Sequence, residues 1–258
     1  SRLRVCLLAS GSKGNAIYIE TRETRVLVDA GLSAREIEAR LAGIGVSAAD
    51  LHGVLVSHEH GDHCRGLGAL VRRHRLPLFA HPQTLKALPR LGKVPDVREF
   101  ESGSRLQFRD LEIGAFAVTH DASAPVGFTL TAAEGQVGIA TDLGIATRLV
   151  KDSLQKSRVL ILESNHDEEL LRDGPYPWPL KQRVRSNHGH LSNAASADLL
   201  EALLWEGLQA VFLAHLSEVN NRPALAAASA QQVLGRQNRC APQLIVGRQD
   251  LASCCFQA

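Results

Sequence analysis

"VLVSHEHGDHC", Val54 to Cys64, sets His58, His60, Asp62 and His63 within six positions, directly after a short apolar run. A polar loop or a helix start has little use for so much imidazole beside a carboxylate, whereas a divalent-cation site has. His58 and His60, two apart on extended backbone, point the same way, and the adjacent pair Asp62 and His63 turns toward a neighbouring ion. The helical zinc-protease pattern H-E-x-x-H starts at His58 and Glu59, but its second histidine would fall on Asp62, so Glu59 has no claim as a base.

Outward from this stretch the same placement recurs. Apolar strands finish on a potential ligand at His120 (after AFAVT), Asp142 (after VGIAT) and His215 (after AVFLA), as GVLVS does at His58. Any one of these reads as a core histidine or a capped strand end. Together with the cluster they make seven candidate metal ligands. A structural zinc site closes with four ligands and often uses cysteine, so seven imply two divalent ions, Zn²⁺ or Mn²⁺ with Fe²⁺ also compatible, and an open position for water. Cys64 reads as packing.

The flanking patterns describe an α/β chain. Strands are expected over Arg2–Ala9, Ala16–Glu20, Arg25–Val28, Gly53–Ser57, Leu111–Thr119, Gly127–Ala132, Val159–Glu163 and Leu208–Ala214. Ser33 with Glu36 three positions on is a capping box for the helix that follows. Helices are also expected over Arg65–His74, from Pro82, over Ser192–Leu204 and over Pro223–Leu234, and "DGPYPWPL" (Asp173–Leu180) reads as a fixed-shape loop. Two packed sheets with helices on their outer faces fit this order, within a single domain spanning 1–258.

Bulk composition excludes several classes. With 45% apolar and 22% charged residues and a net charge of +2, the 258-residue chain reads as globular, without broad attraction to nucleic acid. Local basic patches remain at Lys181–Arg185 and at Arg72, Arg73 and Arg75. Two Trp and two Tyr leave little material for an extended base-stacking platform. No apolar run approaches about 18 residues, so neither a membrane span nor a signal peptide is read. Cys6, Cys64, Cys240, Cys254 and Cys255 are odd in number and mostly far apart, which argues against a secreted disulfide framework and for the cytoplasm.

"SHEHGDHCRG" resembles the H-x-H-x-D-H motif of the metallo-β-lactamase fold, and His120, Asp142 and His215 match that family's later ligands in order. The resemblance implies an αββα sandwich in which His58, His60 and His120 hold one ion, Asp62, His63 and His215 the other, and Asp142 bridges them. Asp29, in "VLVDAG", takes the place of the family's supporting aspartate. "LLASGSKGNAIYIE", "THDASAPVGFTL", "LESNHDEELLRDGPYPWPLKQRV", "GHLSN" and "AHLSEVNN" further resemble the YycJ/WalJ-like bacterial branch. That branch is associated with 5′-to-3′ exonuclease action on DNA, by a hydroxide readied between the two ions.

DNA is accordingly the expected substrate, with RNA, a cyclic nucleotide or another small phosphodiester as alternatives and an ester or thioester ranked below them. Whether two chains join as a homodimer is left open. Catalytic candidates are Asp62, His190 and His166, with His190 ranked first for leaving-group help; His166 is alternatively an outer ligand. Ser12, Asn15, His188, His190, Ser192 and Asn193 are candidate phosphate contacts, because glycine beside them admits close approach and they carry donors. His52, His74 and His81 lie outside the strand-end pattern.

Overall fold

Short apolar runs separated by turn-forming clusters build two seven-stranded β-sheets in the computed structural model, which describes residues 2–258. The first half contributes β1 (Arg4–Ala9), β2 (Ala16–Glu20), β3 (Arg25–Val28), α1 (Ala34–Gly43), β4 (Gly53–Leu55), α2 (Gly61–Cys64), α3 (Leu67–His74), β5 (Leu78–Ala80), α4 (Pro82–Ala87) and β6 (Val97–Glu99). The middle supplies β7 (Arg105–Phe108), β8 (Leu111–Ala117), β9 (Val126–Ala132), β10 (Gly135–Ala140), α5 (Arg148–Leu154), β11 (Val159–Glu163), α6 (Glu168–Asp173) and α7 (Trp178–Arg185). The last quarter adds α8 (Asn193–Leu203), β12 (Ala210–Ala214), α9 (Pro223–Leu234), β13 (Gln243–Val246) and β14 (Phe256–Gln257).

Strand order is β14-β1-β2-β3-β4-β5-β6 in the first sheet and β13-β12-β11-β10-β9-β8-β7 in the second. Side chains alternate across each strand, so the inner faces bury Leu7, Ile19 and Phe79 of the first sheet against Phe108, Phe128, Ile139, Ile161 and Phe212 of the second. The outer faces are also apolar. Leu27 and Val54 pack under Ile37 and Leu41 of α1 and Leu70 of α3, while Leu160 and Val211 pack under α5, α8 and α9. The result is the expected helix–sheet–sheet–helix layering, with strands buried on both sides.

This topology decides where function can sit. β3 to β6 run parallel, as do β10 to β13, and the antiparallel β8-β9-β10 meander aligns β8 with β10. The carboxyl ends of β8, β10, β11 and β12 therefore share one edge of the second sheet, and open parallel arrangements gather ligands at such an edge.

Local chemistry explains the helix starts. Ser33 Oγ accepts from Glu36 N at 3.2 Å to cap α1, Ser192 Oγ accepts from Ala195 N at 3.1 Å to cap α8, and Pro82 opens α4. Two expectations are corrected. "DGPYPWPL" is not wholly loop, since α7 begins at Trp178 with Pro179 in its first turn, where a missing N–H costs nothing. The cysteines do form one disulfide, between Cys6 of β1 and Cys255 beside β14. Pairing of Val5 with Phe256 brings those distant positions together. Among the described residues no helix is long and apolar enough to cross a membrane.

Candidate metal centre

Asp29 follows β3, His58 and His63 follow β4, His120 follows β8, Asp142 follows β10 and His215 follows β12. The chain must turn sharply at these points to aim side chains along the sheet edge. Asp29, Asp142 and His215 do so with φ of 66°, 54° and 57°, the left-handed region that costs a non-glycine residue energy. Such strain persists only where surrounding contacts hold it, and it concentrates at functional sites.

The contacts are specific. His63 Nδ1 lies 2.7 Å from Asp29 Oδ2, and Asp29 also accepts from Ser57 N and Ser57 Oγ, each at 2.8 Å. His58 Nδ1 meets Ser57 Oγ at 2.9 Å, His120 Nδ1 meets the Gly189 carbonyl at 3.1 Å, and His215 Nδ1 faces Glu163 Oε1 at 3.4 Å. Each of these four rings thus spends Nδ1 on a neighbouring group and turns Nε2 to a common centre, the tautomer and orientation that a metal-binding histidine needs. Around that centre, candidate ligand atoms of His58, His60 and His120 lie within 4.8 Å of one another, as do those of Asp62, His63 and His215 and those of His58, His63 and Asp142.

Whether a cation suits this cage can be judged from its polar atoms. His58 Nε2 is buried with no hydrogen-bond partner among the described residues. Asp142 Oδ2 is buried too and lacks a well-directed hydrogen bond, although His63 Nε2 is 2.6 Å away. Orphaned buried polar atoms are expensive, and a divalent ion between them removes the expense. The donor set, imidazole and carboxylate without thiolate, fits divalent transition metals.

The charges point the same way. Burial opposes protonation of His63, but Asp142 and Asp29 outweigh it and hold its pKa well above the ordinary value. Burial likewise opposes charge on His215, yet Asp142, with Asp62 and Glu163, pushes it up to about 10. His58, buried and facing His63, is held well below the usual range. Burial would raise Asp142, but His215 and His63 keep it well below the carboxylate range. Protons on His63 and His215 thus balance the acids where cations would.

Gly31 shows how tightly the ligand loop is seated. A Cβ there would overlap the Asp62 carbonyl oxygen, so only glycine lets the chain after β3 pass beneath the histidine cluster. Glu59 turns aside, accepting from Ser123 N and Oγ at 2.8 Å.

The remaining candidates separate. Ser12, His188 and His190 line a pocket of about 190 Å³ together with His60, Asp62, His120, Asp142 and His215. His166 does not line it. Its Nδ1 meets Asn165 Oδ1 at 3.2 Å, and its ring borders an adjoining cavity with Ser192, Arg185 and His190. Nor is His166 in any of the ligand groups, so the outer-ligand alternative has no geometric support. Asn193 is spent on Asn221, each amide donating to the other at 2.8 and 2.9 Å. Asn15 is also spent, its Nδ2 donating to Gly11 O at 2.8 Å and to Asp62 Oδ2 at 3.2 Å, so it steadies Asp62 instead of meeting substrate. In the "SGSKGN" turn, Gly11 N and Lys13 N donate to Asn15 and Gln249, which withdraws them from phosphate.

Glu163 is the residue that sequence reasoning missed. Fully buried at the end of β11, it accepts from Leu143 N and Leu191 N at 3.1 Å through Oε2, and Oε1 lies 2.8 Å from His190 Nδ1. Burial would raise it, but His190 and His215 draw it down to about 2. The signal was present, since "VLILE" is another apolar strand ending on a ligating residue type.

Residues 24–215 match the model of the beta-lactamase superfamily domain. The chain belongs to the beta-lactamase superfamily. Within it, the chain is 38% identical over 235 residues to exodeoxyribonuclease YycJ of Bacillus anthracis, covering 90% of this chain and 89% of that one. It is 39% identical over 225 residues to exodeoxyribonuclease WalJ of Streptococcus pneumoniae serotype 2, covering 85% and 84%. The superfamily fold also appears in the crystal structure of the metallo-beta-lactamase fold protein YhfI from Bacillus subtilis, which matches 100% of both chains with a TM-score of 0.76 at 15% identity. Membership in this superfamily, together with the His/Asp cage, implies divalent metal ions.

Proposed function

We propose that this chain is a metal-dependent hydrolase of phosphodiester bonds in DNA, a 5′-to-3′ exonuclease working with two ions of Zn²⁺ or Mn²⁺ in the cytoplasm. The observation that carries the reading is the convergence of Nε2 atoms from His58, His63, His120 and His215 on Asp142, each ring fixed from behind. The names of the YycJ and WalJ relatives, at this coverage, support DNA as substrate.

In this reading His58, His60 and His120 would hold one ion and Asp62, His63 and His215 the second, with Asp142 within reach of both sites. When bound, such a pair lowers the pKa of water and neutralises charge gathering on the phosphoryl oxygens. Asp29 orients His63, and Ser57 orients His58. His190 is the proton donor to the departing oxygen. Burial disfavours its charge, but Glu163 outweighs this and holds the pKa above the ordinary imidazole value, which favours the protonated ring. Ser12, His188 and Arg183 border the same pocket and would be within reach of a phosphate backbone bound there. Leu180 and Val184 are the aliphatic members of a lining otherwise made of histidine, acidic, serine, arginine and glycine residues.

The test compares turnover of end-labelled duplex DNA, single strands, RNA and a small phosphodiester with Zn²⁺ or Mn²⁺. Mononucleotides released from DNA ends, and their loss in His58→Ala, are expected; turnover confined to small diesters refutes the reading. A second expectation follows from the charges. Because His63 and His215 hold protons in the ion-free cage, loading must expel them. Divalent affinity should therefore rise with pH through neutrality, and an indicator dye in weakly buffered solution should record proton release on Zn²⁺ addition.

A further inference from the structure

α7 lies along one wall of the metal-facing pocket, with Leu180, Arg183 and Val184 on its inner side. Its first residue, Trp178, is 66% exposed, the most exposed large apolar side chain among the described residues. An indole left in water forgoes a large burial gain. Pro177 and Pro179 flank it, with Pro177 at φ −63°, so the backbone that carries the ring has little conformational freedom left to lose on contact.

Trp178, Lys181 and Arg185 recur at i, i+3 and i+7 and so share one face of the helix. Lys181 is anchored by donating to the Arg172 carbonyl at 2.6 Å. Arg185, exposed, enters the adjoining cavity of about 260 Å³, whose wall includes His190. The face therefore carries an exposed indole and two cations, the last of which shares a cavity with a histidine of the catalytic pocket. From Trp178 to Arg185 is about 10 Å along the axis, the reach of two to three nucleotides. Of the nearby acids, Asp173 pairs with Arg172 and Asp121 with Arg183, while Glu168 stands in the cavity wall and Glu169 beside it in α6.

We propose that this face of α7 is a track for the substrate strand, with Trp178 stacking on a base while Lys181 and Arg185 take its phosphates. The inference rests on the nuclease reading and adds to it the means by which the strand is gripped. Stacking on an indole accepts any base, as end-degradation of arbitrary sequence requires. Backbone contacts from Lys181 and Arg185 are equally indifferent to sequence.

The test uses the metal-loaded protein. In a Trp205→Phe variant, Trp178 is the sole indole, and its emission should be quenched by a phosphorothioate single strand that resists cleavage. Trp178→Ala should raise KM for DNA about 5- to 100-fold at little cost in kcat, with Trp178→Phe in between. Its turnover of bis(p-nitrophenyl) phosphate relative to DNA should rise accordingly. Unchanged emission on strand binding overturns the inference, as does a KM for DNA that ignores the alanine change. Self-association lost in Trp178→Ala with strand binding intact would instead make the face a contact between copies. If the unaltered protein cleaves the small diester but no DNA, the nuclease reading itself fails.

Discussion

Replacing Asp142 by asparagine is expected to lower turnover of DNA ends about 10³-fold or more, the largest effect of any single change in this chain. Every route through the cage passes this carboxylate. Its oxygens lie 2.6 Å from His63 Nε2, 3.7 Å from His58 Nε2, 3.8 Å from His120 Nε2, 3.5 Å from His215 Nε2 and 3.4 Å from His190 Nδ1. Asparagine preserves the volume and tolerates the left-handed backbone at φ 54°, but it removes the charge that two cations would share. The checks are steady-state turnover and metal content after gel filtration. Circular dichroism should show the fold kept, and the content should fall below two ions per chain.

The second large effect is expected at Asp29, which touches no substrate. Its carboxylate fixes His63 through Oδ2 and the turn after β4 through Ser57, all in the interior. Asp29→Ala leaves the His63 proton without its partner, and breaking a buried pair from one side costs about 3–5 kcal/mol. Divalent affinity should fall about 10- to 100-fold, the usual cost of losing the group behind a metal-binding histidine. Asp29→Asn separates the two effects. It can keep the acceptor for Ser57 and the φ of 66°, so stability should largely return while affinity stays low. Thermal melts and competition with a chromogenic chelator read the two quantities.

The layering and the candidate ligands were legible because both follow from local pattern. Apolar runs of strand length ended on His58, His120, Asp142 and His215, and parallel strands bring such ends to one edge. Glu163 carried the same signal but closes its own strand, where a buried glutamate reads as a boundary residue. Ser57 and the Gly189 carbonyl could not be found in this way, since a hydroxyl or backbone oxygen becomes specific only once distant segments meet. Asn15 and Asn193 drew attention as donors beside flexible turns. Burial settles both against substrate contact, because an amide in the interior must find partners there, and each has done so. Cys6 and Cys255 are 249 positions apart, and only the pairing of β1 with β14 makes them neighbours. Trp178 read as part of a rigid loop; the helix places it on a face with Lys181 and Arg185.

The most direct measurement of the two-ion account is reconstitution. Chelator-stripped protein is titrated with Mn²⁺ or Zn²⁺ while bound metal and release of mononucleotides from duplex DNA ends are followed together. The account predicts no release from the stripped protein and a return of activity that levels off at two ions per chain. Full activity at zero or one bound ion would contradict it.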